Sequence, residues 1–312
     1  MTIALLFSGQ GSQKTGMGQD LYETQAPYRD TIDHASQVLG IDLPALYFDD
    51  TKADQLNETQ YTQPAIVAMS MAVYQTIKPQ LDDQVKVGLG LSLGEYSALA
   101  ASGFLTFDEA LKLIALRGQL MQRASDDDPS KMVAVMNTPI EVLQEAVKAG
   151  QTTGRVAIAN VNTPKQVVIG GDVSAVDAAS AYLTDHDAGR QVTLNVSGAF
   201  HTPLMQSAQQ PLHEALTQVN WQQGHFPIMS TTQLQPFTPA DIVTTLTDQL
   251  VSTTHFSDAL TQVAPDVDTV IEVGPGKTLM SFARKTVKGL NYYHIDSAET
   301  LTDTLAAVAA QK

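Results

Sequence analysis

Gly90-Leu91-Ser92-Leu93-Gly94 decides how this chain is read. The pentapeptide follows an alternating apolar run, Val85, Val87 and Leu89, and leads into the helix-like stretch Glu95-Tyr96-Ser97-Ala98-Leu99-Ala100-Ala101. Strand, sharp turn and helix in that order are the setting of a nucleophile elbow. The bend crowds backbone against helix on both sides of the serine, and Gly90 and Gly94 are small enough for that. Ser92 then projects from the turn above backbone N–H groups and the positive end of a helix, where an oxyanion is stabilised. With 20 glycines in 312 residues, chance alone gives G-x-S-x-G in roughly one such chain in fourteen. A plain serine in a βα turn is therefore the competing reading, and a base and oxyanion donors must come from elsewhere.

Outward from the elbow, strand-like and helix-like stretches alternate. Ile3 to Phe7 reads as a strand, Pro27 to Leu39 and Pro64 to Ile77 as helices, and 85–91 as the strand before the elbow. Alternation of this kind predicts a mostly parallel sheet covered on both faces. Gly103 closes the elbow helix, and Thr106 with Glu109 forms a capping box that opens the next. The pattern changes at Ser125-Asp126-Asp127-Asp128-Pro129-Ser130, which reads as an acidic linker. A strand (Met132 to Met136) follows it, then a helix whose start, Thr138-Pro139-Ile140-Glu141, offers a cap, an N1 proline and a box acid. Strands Val156 to Val161 and Gln166 to Ile169, an alanine-rich helix from Ser174 to Thr184 and a strand from Gln191 to Val196 complete a βαββαβ order. That order reads as a ferredoxin-like unit. The α/β alternation then resumes: a helix from Thr202, a strand at Phe226 to Met229, a helix at Pro239 to Leu250, a strand at Thr269 to Val273, a helix at Thr278 to Val287, a strand at Tyr292 to Ile295 and a last helix. The expected fold is α/β, a large parallel-sheet domain made of residues 1–125 and 197–312 holding a small ferredoxin-like domain, 126–196.

Composition narrows the function. Hydrophobic residues make up 43% and charged ones 16%, which fits a folded soluble enzyme and not a disordered chain. No apolar run is long enough to span a bilayer, and Met1 to Ser8 lacks the basic start and long apolar core of a signal peptide. The absence of cysteine excludes disulfides, thiolate-bound zinc and a thiol nucleophile. Together these features predict a cytoplasmic protein. A net charge of −15 argues against nucleic acid, which needs a basic face. Arg284-Lys285-Thr286-Val287-Lys288 is the densest basic segment, readable equally as a patch for an acidic partner or as a solvated helix end.

Seven histidines are candidate bases. His201 stands apart because it follows the small-residue turn Ser197-Gly198-Ala199, at the return from the small unit, where ends of elements gather. Arg117 lies in a largely apolar helical stretch, Leu113 to Gln122, on one face with Leu113 and Met121. An arginine there snorkels outward, pairs with an internal acid, or awaits an anion that its fork can hold in bidentate fashion. Phe7-Ser8-Gly9-Gln10-Gly11-Ser12-Gln13 ends the first strand in a glycine-rich turn that matches neither a Walker motif nor a dinucleotide fingerprint. Such a turn lets backbone N–H groups approach a ligand atom, or is simply tight. Gly274-Pro275-Gly276-Lys277 admits the same pair of readings.

In order along the chain, Phe7 to Gln13, Gly90 to Glu95, Arg117-Gly118 with Met121-Gln122, Asn160 to Gly170, His201 and Glu272 to Gly276 resemble the malonyl-CoA:acyl carrier protein transacylases of dissociated fatty-acid synthesis. The resemblance covers nearly the whole chain and implies an α/β-hydrolase-like large domain. It also implies roles. Ser92 would be acylated, and His201 would act as its base and then as acid to the leaving thiolate. The backbone carbonyl of Gln249 would orient that histidine, and the N–H groups of Gln10 and Leu93 would form the oxyanion hole. Arg117 would hold the malonyl carboxylate, with Gln63 and Met121 lining the pocket and Phe200 crowding the α-carbon. The substrate would be malonyl-CoA and the partner acyl carrier protein, with no cofactor and no metal. Two positions depart from the pattern: Leu91 stands where the family usually has histidine, and Ser8 replaces a common proline and so removes a rigid ring from the turn. The rival reading is a serine esterase or thioesterase of the α/β-hydrolase kind, which shares the elbow and the serine–histidine pair.

Overall fold

All five residues of Ile3–Phe7 are buried, which a strand achieves only with a layer packed on each face. The computed structural model describes residues 1–311 and contains nine strands among them: β1 (Ile3–Phe7), β2 (Val85–Gly90), β3 (Ser130–Met136), β4 (Val156–Thr163), β5 (Gln166–Asp172), β6 (Gln191–Thr193), β7 (Ile228–Met229), β8 (Thr269–Val273) and β9 (Asn291–Ile295). Five of them form a parallel sheet in the order β7-β2-β1-β8-β9. Ile3, Leu5 and Phe7 of the central strand enter one apolar cluster, and Ala4 and Leu6 enter another on the opposite face. The period-2 alternation of side chains thus feeds two helical layers from a single strand.

The other four strands form an antiparallel sheet in the order β4-β5-β3-β6. On one face, Val133, Val135, Val167 and Ile169 pack with Leu143, Ala146, Ala175 and Ala179 from the helices Ile140–Gly150 and Val173–Asp185. This is the ferredoxin-like βαββαβ arrangement. The opposite face turns Met132, Ala134 and Val168 into the main core. Strand β4 is stitched to a distant loop: Val161 N donates to Thr254 O at 2.7 Å, Thr254 N to Ala159 O at 2.9 Å, and Asn160 Nδ2 to Thr254 Oγ1 at 2.7 Å. The second sheet is thereby tied to the loop before the helix Phe256–Val263.

Several local expectations are corrected. Ser125 to Ser130 is not a loose linker. The helix Phe107–Asp127 runs through its first half and β3 begins at Ser130. Arg155 Nη2 pins the acidic end, meeting Asp128 at 2.9 Å and Asp172 at 2.8 Å. Thr138 does not cap the helix after it. Its hydroxyl donates to Met136 O at 3.2 Å and accepts from Gly189 N at 3.0 Å, leaving Pro139 as an N-cap without a side-chain bond. The helix assigned from Pro64 starts at Thr59, so Pro64 lies inside it. The strand expected to reach Val196 stops at Thr193. Pro203 opens a single 3-10 turn before the helix Gln206–Leu216, and the helix placed from Pro239 begins at Ile242. The helix Phe256–Val263 was not anticipated. No helix among the described residues is long and apolar enough to cross a membrane.

Candidate active site

The elbow is built by close backbone approach. A Cβ on Gly90 would run into the backbone of Gly94 and Glu95, and one on Gly94 into the carbonyl of Phe7. The chain turns so tightly that Ser92 itself takes φ 57°, a left-handed conformation unusual for a residue with a side chain. The helix Gly94–Ser102 starts immediately afterwards and ends on Gly103 with φ 86°. His201 also has a positive φ, 60°. Strain at two positions whose side chains face the same space is the pattern expected of a functional site.

That space is a cavity of about 430 Å³ lined by Gln10, Ser92, Met121, Phe200 and His201, together with Met132, Ala134 and Val168 from the second sheet. It lies in the gap between the two sheets. Leu91 lines it as well and packs on the apolar cluster behind the parallel sheet. The hydrogen-bonding role that histidine could play at Leu91 is therefore replaced by an apolar contact.

Arg117 is wholly buried in the helix Phe107–Asp127. Its Nη1 donates to Gln63 Oε1 at 2.8 Å, and its Nη2 donates to Ser92 Oγ and to Gln249 Oε1, each at 2.9 Å. The guanidinium sits 5.5 Å from the centre of the Tyr96 ring, and its Nε has no protein partner. Burial lowers the Arg117 pKa, yet an arginine keeps its charge inside proteins. Its direct partners are neutral, and the nearest acid acting on it is Glu95, reached through the Gln249 amide.

His201 Nδ1 lies 2.8 Å from the carbonyl oxygen of Gln249. A carbonyl only accepts, so Nδ1 carries the proton and Nε2 is left as the basic nitrogen. Burial, and after it the Arg117 charge, push the imidazole pKa down to about 4, against the Gln249 carbonyl, which favours the cation. Around neutral pH the ring is a neutral acceptor. Among the described residues no hydrogen bond joins Nε2 to Ser92 Oγ, whose oxygen accepts from Arg117 and whose proton stays free.

The remaining expected residues converge on the same place. Gln63 Nε2 contacts Gln10 Oε1 and Met121 Sδ, both at 3.3 Å. The backbone N–H groups of Gln10 and Leu93 donate to no other protein group among the described residues, as oxyanion donors require. Ser8 is fully buried, and its hydroxyl donates to Glu272 Oε1 at 3.1 Å and to Val273 O at 3.3 Å. A side-chain tie thus takes the place of the proline ring in stiffening the turn. Glu95 was passed over in the sequence, where it looks like an ordinary first-turn acid. Here it is buried and hydrogen-bonded to Gln249 and Thr231. Arg284 and Lys285 fall in the last turn of the helix Thr278–Thr286, with Arg284 over the Tyr292 ring at 5.6 Å. Gly274 and Gly276, both at positive φ, make the preceding loop a tight connector.

A strained serine elbow and a neutral histidine line one cavity, and a buried arginine behind it reaches the serine hydroxyl, an arrangement suited to acyl transfer. The chain belongs to the acyl transferase family, whose domain model matches residues 4–305. It is 35% identical over 302 residues to the malonyl CoA-acyl carrier protein transacylase of Bacillus subtilis (strain 168), covering 96% of this chain and 95% of that protein. Among solved structures, that of MCAT from Streptococcus pneumoniae superposes with a TM-score of 0.93 at 41% identity, covering 98% of this chain and 100% of that one. A malonyl-transacylase in complex with a type II PKS acyl-carrier protein superposes with a TM-score of 0.94 at 31% identity, again over 98% and 100% of the two chains.

Proposed function

We propose that this chain moves a malonyl group from malonyl-CoA to the phosphopantetheine thiol of acyl carrier protein, by way of a malonyl ester on Ser92. The observation that carries the reading is the Arg117 guanidinium, buried and 2.9 Å from the Ser92 hydroxyl, with no carboxylate among its direct hydrogen-bond partners in the described residues. A free carboxylate on the acyl group is the ligand chemistry it fits.

In the first half-reaction, His201 Nε2 takes the Ser92 proton as Oγ attacks the thioester carbonyl. The resulting oxyanion accepts hydrogen bonds from the N–H groups of Gln10 and Leu93. Collapse expels the CoA thiolate, which is protonated by His201. In the second half, His201 takes the proton of the carrier thiol, the sulfur attacks the ester carbonyl, and Ser92 Oγ leaves with the proton returned by His201. The carbonyl of Gln249 holds the imidazole in the required tautomer throughout. Met121 and Gln63 shape the pocket wall, and Phe200 stands beside the α-carbon. The protein supplies these steps with its own side chains, without a cofactor. The same reading treats 1–125 with 197–312 as the domain carrying the nucleophile and 126–196 as the domain closing the cavity from above, in a cytoplasmic protein. An esterase of the α/β-hydrolase kind orients its histidine with a carboxylate. Here a main-chain carbonyl does so, which favours the transferase.

The test is intact-mass analysis after mixing with malonyl-CoA. One malonyl adduct is expected, absent in Ser92→Ala, and discharged by holo-acyl carrier protein faster than by water. Discharge to water as fast as to the thiol would support the hydrolase instead.

A further inference from the structure

The elbow helix carries an ionisable group that the reaction above does not use. Glu95 is fully buried. Its Oε1 accepts from Thr231 N at 2.6 Å and Thr231 Oγ1 at 2.8 Å, and its Oε2 accepts from Gln249 Nε2 at 2.6 Å. Gln249 is in turn a junction. Its Nε2 also donates to Ser92 O at 3.2 Å, its Oε1 accepts from Arg117 Nη2 at 2.9 Å, and its main-chain oxygen holds His201.

An amide has a donor end and an acceptor end. Which end of Gln249 faces Arg117 decides whether the guanidinium meets an acceptor or a second donor. The Thr231 N–H can only donate, so Oε1 of residue 95 has to accept. A carboxylate then presents a second acceptor at Oε2, which draws the NH2 of Gln249 and turns its oxygen toward Arg117. We propose that Glu95 is a positioning residue for Arg117: through Gln249 it fixes the polarity of the amide that anchors the guanidinium beside Ser92. The inference rests on the reading of Arg117 as the clamp for the acyl carboxylate.

Glu95→Gln keeps shape and burial but has one acceptor oxygen. The Thr231 N–H claims it, so the new NH2 faces Gln249 Nε2. Gln249 then turns over, setting its NH2 against Arg117 and its oxygen against Ser92 O, or it withdraws. Either way Arg117 loses an acceptor, while the main-chain carbonyl that holds His201 is untouched.

The experiment measures Ser92 acylation by malonyl-CoA and by acetyl-CoA in the intact protein, Arg117→Ala, Glu95→Gln and the double variant. Glu95→Gln should lower kcat/KM for malonyl-CoA on the order of tenfold, mostly through KM, and change acetyl acylation by no more than about twofold. In the Arg117→Ala background it should add nothing, because the two residues act through one contact. Equal losses for both acyl groups, or an undiminished loss without Arg117, would overturn the assignment. If Arg117→Ala itself leaves the malonyl-to-acetyl ratio unchanged, the clamp reading falls and Glu95 falls with it. Should Glu95→Gln fold poorly, Gln249→Met keeps the main-chain carbonyl and removes the amide. The same drop in ratio is expected there, with no change in the pH at which acylation is lost, and a retained ratio refutes the proposal.

Discussion

Arg117 Nη2 donates to Ser92 Oγ at 2.9 Å, so the group assigned to the substrate carboxylate rests on the nucleophile itself. A hydroxyl has two lone pairs and one proton, and the guanidinium occupies a lone pair while leaving the proton free for His201. On the proposed reading, an acyl group bearing a carboxylate would compete for Nη2 and free the oxygen as substrate arrives, linking binding to activation through one nitrogen.

Arg117→Ala should accordingly reduce malonyl acylation far more than acetyl acylation. A hydrogen bond to a charged group is worth ~1.5–3 kcal/mol, or on the order of 10- to 150-fold in kcat/KM, and a desolvated bidentate pair exceeds that. The check is kcat/KM for both thioesters. Equal losses would make the arginine a packing residue.

His201→Ala should abolish acylation in a protein that still folds. In the unaltered protein the rate constant for acylation by acetyl-CoA, which does not depend on Arg117, should hold steady on acidification well past the usual histidine range and fall only near pH 4, because burial and the Arg117 charge disfavour the imidazolium. Single-turnover acylation after a pH jump measures this. An acid limb centred at 6.5, the ordinary value, would contradict it.

Phe200 is 7% exposed and both lines the cavity and joins the main apolar cluster. If Arg117 fixes the carboxylate as proposed, an α-methyl branch would meet the ring. Discrimination of one methyl is limited to about 1–3 kcal/mol, roughly 10- to 200-fold. The protein should prefer malonyl-CoA over methylmalonyl-CoA, and Phe200→Ser should relax the preference. A variant with lower Tm and an unchanged ratio of kcat/KM values would assign the ring to packing alone.

Stability should fall as pH rises through the mildly acidic range. Burial pushes the carboxyls of Glu95 and Glu272 up from 4.5 to about 7, and the imidazole of His201 down from 6.5 to about 4. A carboxyl with a raised folded pKa stabilises the fold below its unfolded value and loses that contribution as pH rises through the folded one. A histidine with a depressed pKa stabilises above its unfolded value and loses the contribution as pH falls. Between about pH 4.5 and 6.5 two carboxyls outweigh one imidazole, giving a net decline on the order of 1 kcal/mol per pH unit from these three groups. Urea unfolding across that window should show the decline, and Glu272→Gln should flatten it whatever its absolute stability. An identical slope in the variant would exclude Glu272 as a contributor.

Much of this was legible in the chain because it depends on near neighbours. The capping box of Thr106 and Glu109 forms as spaced, Gly103 takes the left-handed cap, and Gly90 and Gly94 flank a serine at positive φ. Apolar periodicity gave the parallel sheet and the βαββαβ unit, since burying one face of each element leaves few alternatives. Where neighbours offered a local solution that a distant partner could better, the reading failed. Thr138 caps nothing because Gly189 claims its hydroxyl, and the acidic run after Ser125 is helical and pinned by Arg155.

Sequence alone, then, determined most of the elements, the elbow and the types of residue available for acyl transfer, largely through interactions within a turn or two of the chain. Only tertiary structure decided that Glu95, Arg117 and Gln249 form one hydrogen-bonded chain around Ser92. Glu95 and Gln249 stand 154 residues apart and Arg117 and Gln249 stand 132 apart, and no local pattern says which end of a distant amide will face a guanidinium. That choice follows from burial, where donors are drawn to acceptors: Gln249 turns its oxygen to Arg117 and its amide nitrogen to Glu95.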